Sequence, residues 1–158
     1  MFCFINYKQA LDIITLAKNK NLFVCEAMWT RFMPSRQIIK DLIDSNIIGN
    51  ITSLSANLGY AMQNIKRLCD PYLAGGALLD VGIYPLNFAL MCFGNNYDKI
   101  VASCMKSELG VDLTDSITIY YKDKVCHLHS TMLAQTDRSG YLYADKGYIQ
   151  IENINNPE

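Results

Sequence analysis

The hydrophobic residues near the N-terminus recur at helical spacing and then give way to a short unbroken apolar run. Asn6 is a residue type that caps helices, and the apolar positions behind it share one helical face: Ala10, Leu11, Ile14 and Ala17. Residues 22–25 are continuously apolar, which is typical of a buried strand. A second helix is predicted from Pro34, with an apolar stripe at Ile38, Ile39, Leu42 and Ile43.

From Ile51 onward the pattern changes to a period of two, which predicts strands. In the first of these strands the apolar side chains face one way, at Leu54, Ala56 and Leu58, and polar ones face the other. Further β-rich segments follow at 99–107, 115–121, 124–132, 140–145 and 148–152. Because one face is apolar and the other polar or aromatic, we expect the sheet to pack helices on one side only.

A long apolar helix interrupts the strands. Residues 77–93 are hydrophobic nearly all round, so this helix should be buried, and Pro85 should kink or divide it. Residues 60–74 before it are mixed and polar, which predicts an irregular excursion. The predicted fold class is α+β, an open-faced and mostly antiparallel sheet with helices on one face, preceded by one helix and one strand.

Composition narrows the class of partner. The formal net charge of the 158 residues is −1, and no more than two basic residues stand in a row, so no nucleic-acid partner is expected. Apolar runs end well short of the ~20 residues that a membrane span needs, so no membrane partner is expected either. The six cysteines are scattered without a CxxC pair, which is typical of reduced thiols and predicts a cytoplasmic protein.

The segment Gly75–Pro85, GGALLDVGIYP, carries the most informative chemistry. Two glycines before an apolar helix allow a close backbone approach or an unusual turn. Asp80 and Tyr84 are four residues apart, so they share a face if the helix continues through Gly82. A Tyr in a pocket can exchange a proton with a substrate hydroxyl group, which Asp80 could position. From the residues alone, however, the structural alternative of a capping carboxylate and a core aromatic is favoured.

The segment Gly75–Pro85 resembles the GGxLLDxGxY signature of the Gfo/Idh/MocA oxidoreductase family, in which a nucleotide-binding domain precedes a substrate domain with an open-faced sheet. Residues 26–34, EAMWTRFMP, are similar to the EAxWTRFxP segment of its dimeric dihydrodiol dehydrogenase (D-xylose dehydrogenase) branch. The resemblance covers essentially the whole chain. It implies that residues 1–27 are the last helix and strand of a nucleotide-binding domain. Residues 28–158 are then the substrate-binding and dimerisation domain, incomplete at its C-terminus.

The resemblance also implies roles for single residues. Tyr84 matches the family's catalytic tyrosine, a proton donor or acceptor, and Asp80 matches its companion acid. Trp29 matches an aromatic side chain that lines the substrate pocket, and Arg31 beside it is given a pocket role. A further pocket aromatic of the branch falls on Leu58, which would weaken stacking on an aromatic diol. The expected substrate is a sugar or a cyclic diol, oxidised at a CH–OH group.

The features with which the family binds NAD or NADP are missing. None of the nine glycines supplies a GxGxxG turn at any register. In the family an EKP motif stands just before the helix that begins at Asn6, and its Lys and Pro would fall on Met1 and Phe2. We therefore expect a chain truncated at both ends, with no cofactor-binding residue, no cofactor bound by the chain alone and no activity of the fragment by itself.

Two further patterns concern partners. The predicted strands are rich in Tyr, which fits the homodimer that the family forms through its open sheet face, although core or strand-edge filling is an equal alternative. His127 and His129 share a strand face, but no third ligand is evident, so no metal is expected. A non-catalytic dimerisation or binding module is the second functional hypothesis, and a chain without a stable fold is the third.

Overall fold

Within residues 5–156, which the computed structural model describes, six strands form one mixed sheet. In chain order the strands are β1 (Ile51–Gly59), β2 (Lys99–Lys106), β3 (Asp112–Tyr120), β4 (Val125–Thr131), β5 (Gly140–Ala144) and β6 (Gly147–Ile151). Their order across the sheet is β2-β3-β4-β1-β5-β6, and β1 and β4 are the parallel pair. The other neighbours are antiparallel, so the predicted α+β fold with a mostly antiparallel sheet is confirmed.

The helical segments of the described residues lie before β1 and between β1 and β2. The α-helices are α1 (Tyr7–Asn19), α2 (Pro34–Asp44), α3 (Lys66–Cys69) and α4 (Ile83–Phe93). Three tighter or wider turns accompany them: the 3₁₀ turns Trp29–Phe32 and Pro71–Leu73 and the π-helical turn Leu78–Gly82. Asn6 caps α1 as expected, because its side-chain oxygen accepts the backbone N–H of Gln9 at 3.0 Å.

The core lies between one face of the sheet and α4. The apolar face of β1 is fully covered, with Leu54 and Leu58 at 0% exposure, and Phe88 of α4 is 1% exposed in the same cluster. Residues Pro71–Phe93 have the length and hydropathy of a membrane span, as core helices of globular proteins often do. Within the described chain this apolar stretch covers the sheet, which explains its composition.

The prediction of a strand at residues 22–25 is wrong. No strand or helix forms there, and Leu22 and Phe23 are 63% and 90% exposed. A strand needs a hydrogen-bonded neighbour, and no described strand pairs with this segment. Met1 and Phe2, on which the family's Lys and Pro would fall, lie outside the described residues.

The interruption predicted at Pro85 occurs one turn earlier. The chain forms the π-helical turn Leu78–Gly82 and continues directly into α4, with Pro85 as the third residue of that helix. Pro85 has no N–H to donate to the preceding turn, so a widened turn before it is a local way to accommodate the missing hydrogen bond. The helix is therefore continuous through Gly82, which is the condition for Asp80 and Tyr84 to share a face.

Candidate functional site

The double glycine holds the start of the helix against two other elements. Gly76 has φ +124°, and its N–H donates to the Leu68 carbonyl at 2.9 Å. A Cβ on Gly75 would lie 2.5 Å from the same carbonyl oxygen, so only glycine fits there. The carboxylate of Asp112 accepts the Leu78 N–H at 2.5 Å and caps the helix from the sheet. These contacts fix where the following turn begins.

The π-helical turn packs closely on the sheet. Ile83 donates its N–H to the Leu78 carbonyl five residues earlier, which widens the helix at this point. A Cβ on Gly82 would lie 2.7 Å from the Ser130 hydroxyl oxygen of β4, so glycine permits the close approach. Single π-helical turns are frequent at functional sites, because they redirect side chains out of the regular helical rows. Asp80 lies in the middle of this turn.

Asp80 forms an ion pair with Arg67 of α3. The Arg67 Nη2 and Asp80 Oδ1 atoms are 2.7 Å apart, and the two side chains are 52% and 25% exposed. The pair orients the carboxylate more than it stabilises the fold, because exposed ion pairs contribute little. Arg67 was not among the residues predicted for the site. Its signal in the sequence was weak, since it lies in the excursion that the pattern predicted to be irregular.

Tyr84 lies on the first turn of α4, four residues beyond Asp80. Its ring is half-buried against the hydrophobic core. Its hydroxyl forms no hydrogen bond with another described residue, Asp80 included. The phenol is thus supported along its ring while its hydroxyl remains unpaired within the described chain. A phenol four residues along the helix from an ion-paired carboxylate is an arrangement that can bind and exchange a proton with a hydroxyl group, if both side chains face the same cleft.

Arg31 reaches the same helix from the 3₁₀ turn Trp29–Phe32. Its Nε donates to Oδ1 of Asn87 at 2.5 Å, and Asn87 lies one turn beyond Tyr84 on α4. Trp29 on the same 3₁₀ turn is 46% exposed. Arg31 and Asn87 also line a cavity of about 640 Å³ between α1 and α4, whose other walls are mostly apolar. The structure therefore ties Arg31 to the helix of Tyr84, whereas Trp29 is simply a half-exposed aromatic nearby in the chain.

The structure does not support the pocket role predicted for Leu58. Its side chain has 0% exposure and belongs to the core on the helix-covered side of β1. The sheet alternation that predicted its burial also removes it from any surface that a substrate could reach.

The described residues do not fit a dinucleotide cofactor site. They contain no strand that leads through a glycine-rich turn into a helix N-terminus, which is how a dinucleotide pyrophosphate is held. Among residues 5–156 no three metal-ligating side chains cluster. His127 and His129 are exposed on the open sheet face, where the Nδ1 of His129 lies 3.3 Å from the Asp115 carbonyl.

Two curated relatives of similar sequence carry the same name. The chain is 34% identical to the trans-1,2-dihydrobenzene-1,2-diol dehydrogenase of Xenopus laevis over 151 residues, 94% of this chain and 46% of that protein. It is 29% identical to the human protein of the same name, again over 151 residues. The chain thus spans about half the length of the curated relatives it matches.

Solved structures show the same fold. A 3-ketoreductase from Actinomadura kijaniata, solved with TDP-benzene and NADP, matches 98% of this chain and 47% of its own with a TM-score of 0.85 and 20% identity. An aldose-aldose oxidoreductase from Caulobacter crescentus matches 96% of this chain and 48% of its own with a TM-score of 0.87 and 16% identity. A family model described as the GFO/IDH/MocA C-terminal domain matches residues 37–150. Fold and sequence therefore agree: the chain belongs to the Gfo/Idh/MocA family and carries its C-terminal domain.

Proposed function

We propose that this chain is the substrate-side domain of an NAD(P)-dependent oxidoreductase that acts on a CH–OH group of a sugar or a cyclic diol. Its relatives are named as dehydrogenases of a cyclic diol, and a structural neighbour was solved with NADP. The observation that carries the proposal is the common placement of Asp80 and Tyr84 at the junction of the π-helical turn and α4, with Arg67 holding the carboxylate.

In this proposal each residue acts on the substrate hydroxyl group. Asp80, oriented by Arg67, accepts a hydrogen bond from one hydroxyl and positions the diol. Tyr84 takes the proton from the hydroxyl that is oxidised, or returns it in the reverse direction. The nicotinamide of a bound cofactor would supply the redox chemistry, but this chain's own residues do not form that site. Trp29 and Arg31 remain predicted pocket residues.

Binding of a diol by the chain itself tests the site without the cofactor. We expect D-xylose and trans-cyclohexane-1,2-diol to shift the amide resonances of residues 78–84 in nitrogen-15 NMR spectra. Asp80→Asn and Tyr84→Phe should weaken the binding, because each removes a hydrogen-bonding function from the site. Tyr72→Phe is the matched control, since Tyr72 lies in a nearby 3₁₀ turn and is 93% exposed. Resonance shifts elsewhere in the chain, unaffected by the two site variants, would rule out this site.

We also propose that the chain alone does not bind the cofactor. No GxGxxG turn occurs among its nine glycines, so the backbone groups that hold a pyrophosphate are not provided. Titration with NADH or NADPH, followed by nicotinamide fluorescence, should therefore show no micromolar binding. Saturable binding in that range would mean that the substrate-side domain contributes more to the cofactor site than we infer.

A second candidate function, a non-catalytic dimerisation or binding module, is favoured by the open face of the sheet. Tyr141 and Tyr143 stack there with ring centroids 5.7 Å apart, and Tyr148 is 61% exposed beside them. At the other edge Val101 and Met105 are 46% and 61% exposed. Exposed aromatic and apolar side chains on one face are typical of an interface, and a second copy of the chain is the proposed partner. A strict monomer in sedimentation at high concentration would exclude this homodimer.

A further inference from the structure

A second cavity, of about 540 Å³, lies between α2 and the C-terminal half of α4, and neither Asp80 nor Tyr84 lines it. Its charged lining residues are three basic side chains and one acid: Arg31, Arg36, Lys40 and Asp44. Lys40 forms an ion pair with Asp44 one helical turn along α2. The two guanidinium groups therefore have no acid opposite them in the cavity lining.

Arg36 is a buried cation without a counter-ion among the described residues. It is 6% exposed, and no described carboxylate lies within ion-pair distance of it. Its Nε donates to the Thr30 carbonyl at 2.9 Å and its Nη2 donates to the Ile154 carbonyl, while its Nη1 is buried with no hydrogen-bond partner. A buried charge that is neither paired nor fully hydrogen-bonded is costly, so this group favours the arrival of an anion.

The nearby thiol cannot supply the missing negative charge. Cys92 of α4 lines the same cavity and lies close enough to Arg36 for the guanidinium charge to act on it. Burial nevertheless raises the pKa of the Cys92 thiol to about 12, so the thiol is neutral at physiological pH. The guanidinium group thus faces a neutral wall at Cys92.

Two further features add positive potential at this end of the cavity. Arg31 is exposed and uses only its Nε, on Asn87, for a hydrogen bond within the described residues, which leaves its terminal nitrogens available. Helix α2 begins with Met33 at the cap position, so no side chain caps its first turn and no acid lies within that turn. The remaining walls are largely apolar: Phe32, Met33, Ile39, Ile43 and Met91.

We propose that this cavity binds a small organic carboxylate with an apolar body, whose charged end lies between Arg31 and Arg36. The planar fork of a guanidinium group matches the two oxygens of a carboxylate. The apolar walls fit an aryl or short alkyl body, and they provide few donors for the several oxygens of a phosphate. Arg31 forms the accessible part of the site and Arg36 the buried part. The site does not depend on the roles proposed for Asp80 and Tyr84.

The test is a nitrogen-15 NMR titration of the full chain with benzoate, with benzamide as its neutral isostere and with inorganic phosphate. We expect benzoate to shift the amide resonances of Ile43, Met91 and Cys92, and benzamide to bind at least about tenfold more weakly. Arg31→Gln should weaken benzoate binding by about tenfold, because it removes the accessible charge. Lys106→Gln, a loss of one exposed positive charge on the edge strand β2, should leave the affinity unchanged.

Three outcomes would overturn the proposal. Equal binding of benzoate and benzamide would show that charge is not recognised, and an unchanged affinity in Arg31→Gln would place the anion elsewhere. If phosphate bound more tightly than benzoate and shifted the same amide resonances, the ligand of this cavity would be a phosphate and not an organic carboxylate. Because Arg31 is exposed, the Arg31→Gln variant should remain folded, and its own NMR spectrum is the check. Arg36→Lys, which keeps the buried charge but loses the fork, should also weaken the binding of benzoate more than that of benzamide.

Discussion

The carboxyl group of Asp115 couples the stability of this protein to pH. Asp115 lies on β3 at 5% exposure, and the hydroxyl of Ser130 on β4 donates to its Oδ2 at 2.9 Å. Burial raises the pKa of Asp115 to about 6, and the carboxyl group of Asp112 adds to this by its charge and a hydrogen bond. Ser130 and His129 act in the opposite direction without cancelling the effect. Between the ordinary pKa of 3.8 and the raised pKa of about 6, the native protein therefore holds a proton that the unfolded chain has already released.

Asp115→Asn removes this titration and keeps an acceptor for Ser130. Because the folded pKa lies above the ordinary value of 3.8, the stabilisation is complete below that value and is lost as the pH rises through about 6. The interval between the two values corresponds to about 3 kcal/mol, since one pH unit is worth about 1.4 kcal/mol. The variant should match the natural protein near pH 4 and exceed its free energy of unfolding by up to about 3 kcal/mol near pH 7. Urea unfolding at both pH values measures this.

Asp137→Asn is the control with the opposite sign. Hydrogen bonds from Asn57 at 2.6 Å and from Ser139 at 2.8 Å lower the pKa of Asp137. Its stabilisation is therefore present at neutral pH and is lost as the pH falls, so this variant should be less stable near pH 7 and approach the natural protein on acidification. If Asp115→Asn instead changes the free energy of unfolding equally at both pH values, folding does not raise the pKa of Asp115 and the reasoning is refuted.

Other predictions concern the helix start, the core and the thiols. Gly76→Ala should be less stable than Gly110→Ala by about 1–3 kcal/mol in urea unfolding, because both glycines have positive φ but only at Gly76 would a Cβ meet a side chain, at 2.2 Å. Equal losses would remove that contact from the explanation. Leu58→Ala should cost about 3 kcal/mol and leave diol binding by the folded variant unchanged; a specific binding defect would return Leu58 to the site. Cys92 and Cys126, whose pKa values burial raises to about 12, should react slowly with a thiol reagent in the native protein. Rapid labelling of either would contradict the raised pKa values.

Much of the sheet was predictable from local pattern alone. The alternation from Ile51 determines which face of β1 is buried, and the predicted segments 140–145 and 148–152 correspond to the paired strands β5 and β6. Strand β3 begins at Asp112, three residues earlier than predicted. Its first residues are held by pairing with the end of β2 and are not marked by hydrophobic alternation. Pairing between distant segments decides such boundaries, and a single-sequence pattern does not contain it.

The site was predictable only where a motif carried it. Asp80 and Tyr84 came from one short segment, whereas the partner of Asp80, Arg67, lies in a different helix. The capping carboxylate of Asp112 was missed for the same reason, because it reaches the helix start from β3. The apolar run at residues 22–25 led to a wrong strand prediction, because apolar composition favours a strand only where a neighbouring strand can pair with it.

The claim on which the account depends is that Tyr84 handles the proton of the substrate hydroxyl. It is tested most directly by joining this chain to the half of the Xenopus laevis dehydrogenase that it does not match and measuring cofactor reduction with a diol substrate. We predict turnover by the folded chimera and a loss of about 10²-fold or more in Tyr84→Phe, the contribution typical of a positioned general acid or base. Unchanged turnover in the folded Tyr84→Phe chimera would contradict the account.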